Sequence, residues 1–139
     1  MLDSSVRLAI CIGSEWTELT NSSRQQTAVS SELIRIQADD LPAAQKITAR
    51  LHSEARAEGR TATVFLDLEV HTAADARTAR SEAAGLALPE PRSVRYIGTD
   101  SGLLGLISDI KITGVADGVT LIFLGPTDHV PGVIDAAVA

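Results

Sequence analysis

The sequence is poor in the residues that mark secreted, metal-binding and nucleic-acid-binding proteins. It has a single cysteine, Cys11, so no disulfide can form within the chain, and the paired Cys/His spacing of a zinc site does not occur. Aromatic residues make up 3% of its 139 residues, and 18 acidic side chains outnumber 12 basic ones, for a formal net charge of −6. Nucleic acids and anionic membranes are bound by clustered Lys and Arg, so we expect neither as a partner.

Long hydrophobic runs are also missing. The apolar segment at the N-terminus is interrupted by Arg7 and ends at Gly13, too short for a signal peptide or a membrane span. The sequence therefore predicts a cytoplasmic protein, and its length predicts a single domain over residues 1–139 with a core of its own. Serine-nucleophile, Walker and dinucleotide-binding motifs do not occur, so hydrolase and nucleotidase functions have no support.

What the chain does contain is strand and helix patterns that recur at roughly the length of one βα unit. Strand patterns cover residues 6–13, 33–39 and 61–70, and each leads into a predicted helix. These helices begin at Ser14, after a cap at Asp40, and at Thr72 or Ala73. A short terminal helix is predicted after Pro126.

The most complete unit lies in residues 93–126, where a short strand, a Gly-Thr-Asp-Ser turn, an amphipathic helix and a buried strand follow one another. Two parallel strands need such a crossover helix. The unit therefore predicts an α/β fold with parallel strands.

The first three strand patterns each combine an aliphatic face with a polar face. The polar faces carry Arg7, then Arg35, Gln37 and Asp39, then Asp67 and Glu69. Strands covered by helices on both sides are normally apolar on both faces. The alternation therefore favours a truncated, half TIM-type barrel over the alternative, a flavodoxin-like open parallel sheet. A complete barrel needs about 250 residues, and half a barrel leaves unpaired edges, so we expect a homodimer.

Three segments together resemble the C-terminal half of the bacterial luciferase-like flavin-dependent monooxygenases. They are VFLDLEV at residues 64–70, RYIGT at 95–99 and GVADGVTL at 114–121, and the resemblance extends over about residues 33–138. The family pattern has proline where this chain has Asp100, and the N-terminal half of the family's barrel has no counterpart here.

The resemblance implies a flavin or deazaflavin cofactor at the carboxyl ends of the strands. Gly98, Thr99 and Ser101 would contact the phosphate of flavin mononucleotide (FMN), and Glu69 and His71 would line the pocket. The alternative for this turn is ordinary helix capping, with Thr99 or Asp100 as the N-cap and Gly98 permitting the turn.

Asp67, Glu69 and His71 are the candidate catalytic residues. The two carboxylates on one strand face are suited to acid–base chemistry or ligand positioning, and His71 lies at the end of the strand, where barrel enzymes act. The alternative is that the carboxylates are neutralised by Arg7 or Arg35 on neighbouring strands and that His71 is a loop residue.

Three functions remain open from the sequence, of which a flavodoxin-like small-molecule binder, expected to be a monomer, ranks last. The first is a truncated luciferase-like oxidoreductase or monooxygenase. The second is a non-catalytic interaction or regulatory half-barrel that pairs with itself or with a separate barrel half. None of these functions calls for a metal.

Overall fold

The structure, a computed structural model, describes residues 7–19 and 32–125. Six strands and three helices follow one another in these residues: β1 (Arg7–Ile12), β2 (Glu15–Glu18), β3 (Glu32–Ile36), α1 (Leu41–Ala57), β4 (Ala62–Ala73), α2 (Ala76–Gly85), β5 (Val94–Thr99), α3 (Asp100–Ile112) and β6 (Gly118–Phe123). The strands form one mostly parallel sheet, which confirms the predicted α/β class. The predicted terminal helix lies outside the described residues, as does most of the segment between β2 and β3.

β4 is the centre of the sheet, and all 12 of its residues are buried. β6 runs parallel to it along one edge, and β1 and β2 continue the sheet beyond β6. The other edge of β4 is divided between two strands. β3 pairs with residues 62–66 of β4, and β5 pairs with residues 68–73.

This strand order differs from the one that half a TIM-type barrel predicts. In such a barrel each strand pairs with its neighbours along the chain. The pairs β3–β4 and β4–β5 follow that rule, but β6 lies between β1 and β4, and β3 and β5 share one edge of β4. The order also differs from that of a flavodoxin-like sheet.

The main core lies between β4 and two helices. α1 and α3 cover the face of β4 that the sequence identified as aliphatic, and β1 and β6 extend this core. Its fully buried large side chains are Leu8, Val64, Leu66, Leu68, Val70, Leu103, Ile107, Ile110, Val119 and Leu121. α2 contacts β4 and β5 and reaches the opposite face of β4, where Glu82 meets His71.

The predicted helix at Ser14 is wrong, because this segment is the second strand of a β-hairpin. β1 and β2 are antiparallel, and Ile12 lies opposite Glu15, which leaves Gly13 and Ser14 as a two-residue turn. Gly13 has φ of +63°, and a glycine with positive φ at the first position is what a type II′ hairpin turn requires. Arg7 then donates two hydrogen bonds of 2.7 Å to the Glu18 carboxylate across the hairpin.

Helix α1 begins and ends where the sequence predicted. The Asp40 carboxylate accepts a 2.8 Å hydrogen bond from the Ala43 N–H, which caps the first turn, and Pro42 lies in that turn. Gly59 follows the helix with φ of +72°, a conformation that glycine adopts without strain. In this helix, Nε2 of His52 lies 2.7 Å from a carboxylate oxygen of Asp117, in the connection between α3 and β6.

Two other boundaries differ from the sequence prediction because of β5. β4 continues to Ala73, opposite Thr99, so α2 begins later than predicted, at Ala76 with Asp75 as its cap. The second predicted strand ends at Ile36 rather than at residue 39, since β5 takes over the edge of β4 from Leu68 onward.

Candidate functional site

The candidate catalytic residues lie on one face of β4, as the alternation of the sequence predicted. Asp67, Glu69 and His71 share the face opposite to the main core, and their residues are 3%, 7% and 5% exposed. Burial of ionised groups is costly unless each has a partner. The partners of these side chains therefore decide what the face can do.

Asp67 is held by side chains from β3 and from the residue that follows β3. Its two carboxylate oxygens accept 3.1 Å hydrogen bonds from Nε and Nη2 of Arg35, and Gln37 donates a third of 3.2 Å. The hydrogen bond and charge of Asp67 raise the pKa of Arg35. The predicted pairing of Arg35 with a β4 carboxylate is thus confirmed.

Glu69 is held by β5 and by the loop before it. Arg95, directly opposite on β5, donates a 2.9 Å hydrogen bond from Nε to Oε1, and the backbone N–H of Arg92 donates to Oε2 at 3.1 Å. This partner was not predicted from the sequence. Arg95 lies within the RYIGT segment, but only the register of β4 against β5 shows that the side chains of Glu69 and Arg95 face each other.

The prediction that Arg7 pairs with these carboxylates is wrong. It pairs with Glu18, and its guanidinium carbon lies 5.3 Å from the centre of the Phe65 ring. Trp16 packs edge-to-face on the same ring, with the centroids 5.5 Å apart, and donates a 2.9 Å hydrogen bond to the buried hydroxyl of Thr120. On this part of the β4 face, the aromatic side chains of Trp16 and Phe65 therefore serve packing.

His71 belongs to strand β4 and is not the loop residue that the alternative interpretation supposed. Its Nε2 lies 2.9 Å from a carboxylate oxygen of Glu82 on α2. Each of the three candidate residues thus contacts a charged side chain from another element. The arrangement fixes β3, β5 and α2 to β4.

The three candidate phosphate-binding residues lie together where β5 leads into α3. Thr99 is the N-cap of α3, and its Oγ1 accepts a 3.1 Å hydrogen bond from the Gly102 N–H, which confirms the capping alternative. Ser101 Oγ lies 3.4 Å from the same Thr99 oxygen. The Tyr96 hydroxyl donates to the Thr99 carbonyl at 3.1 Å and lies over Gly98.

A cavity of about 370 Å³ opens beside this turn, at the carboxyl ends of β4 and β5. Ala73, Ala74, Thr99, Asp100 and Ser101 line it. Asp100 Oδ1 is buried there and has no hydrogen-bond partner among the described residues. A phosphate would bring only acceptor oxygens to a place where an acidic acceptor already lacks a donor, so this cavity does not fit an FMN phosphate.

A second cavity, of about 330 Å³, lies at the opposite end of β4 and is lined by His52, Arg56, Arg60, Thr61 and Ala62. Its cations are partly neutralised, since Arg60 pairs with Glu58 and Glu32.

Nowhere in residues 7–19 and 32–125 do three or more His, Cys, Asp or Glu side chains come together as a metal site would require. None of the helices in these ranges is long and apolar enough to cross a membrane.

The chain matches no protein-family model and no curated protein. The resemblance to luciferase-like monooxygenases therefore stays a prediction from the segments at residues 64–70, 95–99 and 114–121.

Proposed function

We propose that this chain is a non-catalytic interaction module that associates with a second copy of itself through an open edge of its sheet. The observation that carries the proposal is the internal pairing of the polar face. The pairs are Asp67 with Arg35, Glu69 with Arg95 and His71 with Glu82, and they join four elements of the fold.

This pairing argues against acid–base chemistry on β4. A general acid or base must reach the proton of a substrate within hydrogen-bond distance. The acceptor oxygens of Asp67 and Glu69 are turned to donors of their own chain and are almost fully buried. Both carboxylates therefore serve the fold.

The edges of the sheet support association. Among residues 7–19 and 32–125, β2 at one side and β3 and β5 at the other have no strand paired along their outer edge. Unpaired edges offer backbone N–H and C=O groups to another strand. In the part of the chain that the structure describes, the large exposed apolar residues are Ile12, Leu33 and Ile112, on three different elements, so an edge is a better docking surface than an apolar patch.

Molar mass in solution tests the proposal. At about 100 µM protein, association with a Kd of about 1 µM is nearly complete, and light scattering should give twice 14.6 kDa. Leu33→Lys places a charge on the edge strand β3, where lysine opposes strand pairing, and should lower the mass to that of one chain. Ile112→Lys makes the same change at the end of α3 and should leave the dimer intact. A wild-type monomer at this concentration would refute association with itself.

The second candidate is a luciferase-like oxidoreductase using FMN or a deazaflavin. It is supported by the order of the three resembling segments and by the cavity at the carboxyl ends of β4 and β5, where the resemblance implies a cofactor. The acidic lining of that cavity counts against it. Titration with FMN and with a deazaflavin, followed by fluorescence, separates the two functions. Only an oxidoreductase should quench the fluorescence of either cofactor at micromolar protein. The interaction module has one further possible partner, a separate barrel half, which should then co-purify with the chain from native lysate.

A further inference from the structure

Two glycines flank the start of α3, and the Tyr96 side chain occupies the space beside both. A Cβ added to Gly98 would lie 2.4 Å from the Tyr96 hydroxyl oxygen, and one added to Gly102 would lie 2.1 Å from it. We propose that these glycines accommodate Tyr96 rather than a ligand, and that the turn between β5 and α3 is closed to phosphate.

The position of Gly102 makes this interpretation specific. It is the third residue of α3 and has no positive φ, so its backbone conformation does not require glycine. Glycine weakens a helix relative to alanine, and a helix start would ordinarily gain from the exchange. The contact with Tyr96 is therefore the structural reason for glycine at this position.

Two donors at this turn are also engaged within the chain. The Gly102 N–H donates to Thr99 Oγ1, and the Tyr96 hydroxyl donates to the Thr99 carbonyl. Asp100 adds a negative charge in the first turn of α3, where an anionic ligand would otherwise be favoured by the helix dipole. The closed turn does not depend on the proposed dimer, since it uses residues of one chain.

Alanine substitutions test the role of the glycines. Gly102→Ala should lower the melting temperature by about 3 °C or more, because its Cβ must displace Tyr96. In a Tyr96→Phe background the nearest remaining ring atom is 3.3 Å from that Cβ, so the same substitution should cost much less or become stabilising. Gly105→Ala is the matched control: it lies in the same helix with nothing within 4 Å of its Cβ and should raise the melting temperature. If Gly102→Ala stabilises the protein as much as Gly105→Ala, Tyr96 is not the reason for the glycine.

Titration with inorganic phosphate and with FMN tests closure directly, with the amide NMR signals of residues 98–102 as the readout. The wild-type signals should not shift in a saturable way up to about 10 mM ligand, well above the Kd of a built phosphate site. Asp100→Ser combined with Tyr96→Phe removes the charge and the hydroxyl, and should make the same signals respond to phosphate. Asp109→Ser, an equal charge change on an exposed residue nine positions along α3, should not.

Two results would overturn the inference. One is saturable binding by the wild-type turn at any concentration up to about 10 mM, which would show that it is open. The other is a lack of response in the Asp100→Ser/Tyr96→Phe variant, which would show that these two side chains do not close it. A flavin that binds elsewhere would leave the amides of residues 98–102 unshifted, so flavin binding by itself and closure of this turn are distinguishable.

Discussion

Replacing Asp67 by asparagine tests whether this carboxylate has a structural or a functional role. The substitution keeps the size of the side chain and removes its charge. Asp67 accepts three hydrogen bonds at 3.1–3.2 Å from Arg35 and Gln37, and the residue is 3% exposed. An asparagine can accept with its oxygen only and would turn an N–H₂ group toward the guanidinium.

The cost follows from these contacts. A hydrogen bond to a charged group contributes about 1.5–3 kcal/mol, and the substitution loses at least one from Arg35. The Arg35 side chain is 35% exposed, so it regains part of its hydration and the loss stays below that of a fully buried pair. We therefore expect Asp67→Asn to lower the free energy of unfolding by about 2–4 kcal/mol.

Urea unfolding followed by circular dichroism measures this change. Asp39→Asn is the matched control, because it makes the same chemical change at an exposed residue just after β3 and should stay within about 0.5 kcal/mol of wild type. A residue kept for catalysis often costs stability, so its replacement tends to stabilise a protein. If Asp67→Asn leaves the protein equally or more stable, the structural assignment of this face is refuted and a functional role for Asp67 returns.

Two further predictions concern the hydrogen bonds of single side chains. Ser93→Ala should lower the free energy of unfolding by about 1–3 kcal/mol in the same urea assay, because Ser93 Oγ donates to the Asp67 carbonyl at 2.6 Å and accepts from the Ala38 N–H at 3.2 Å in a buried place. An unchanged unfolding midpoint would contradict it. The Thr78 N–H, which donates to the Asp75 carboxylate, is the chief cause that lowers the pKa of Asp75 from its ordinary value of 3.8. The stabilising cap is therefore fully present above pH 3.8 and is lost as the pH falls below that value. Asp75→Asn keeps a capping oxygen that does not titrate, and acid titration of helicity should show a shallower loss below pH 3.8 for this variant than for wild type.

Local signals in the sequence predicted the helices and strands that depend on local chemistry. Asp40 and Gly59 bound α1 because a capping carboxylate and a left-handed glycine act within one helical turn. The two faces of β4 were predicted correctly because side chains alternate along any strand. The hairpin was also within reach, since a Gly-Ser pair between strand-like segments is a recognised turn signal.

Pairings between distant segments could not be predicted in the same way. Arg95 meets Glu69 only because β5 pairs with β4 in one particular register, and no local pattern specifies that register. The place of β6 between β1 and β4 is likewise a property of the whole chain. The sequence therefore predicted which polar side chains share one face of β4, but only some of their partners.

The divided edge of β4 has a consequence for how the sheet opens. Residues 62–66 of this strand are protected on that side by β3, and residues 68–73 by β5, two segments separated by more than fifty positions along the chain. Release of one of these strands would expose only its own portion of β4, so the two portions can exchange their amide protons in separate cooperative events. The longest of the described strands is thus one continuous backbone whose two parts are protected independently along this edge.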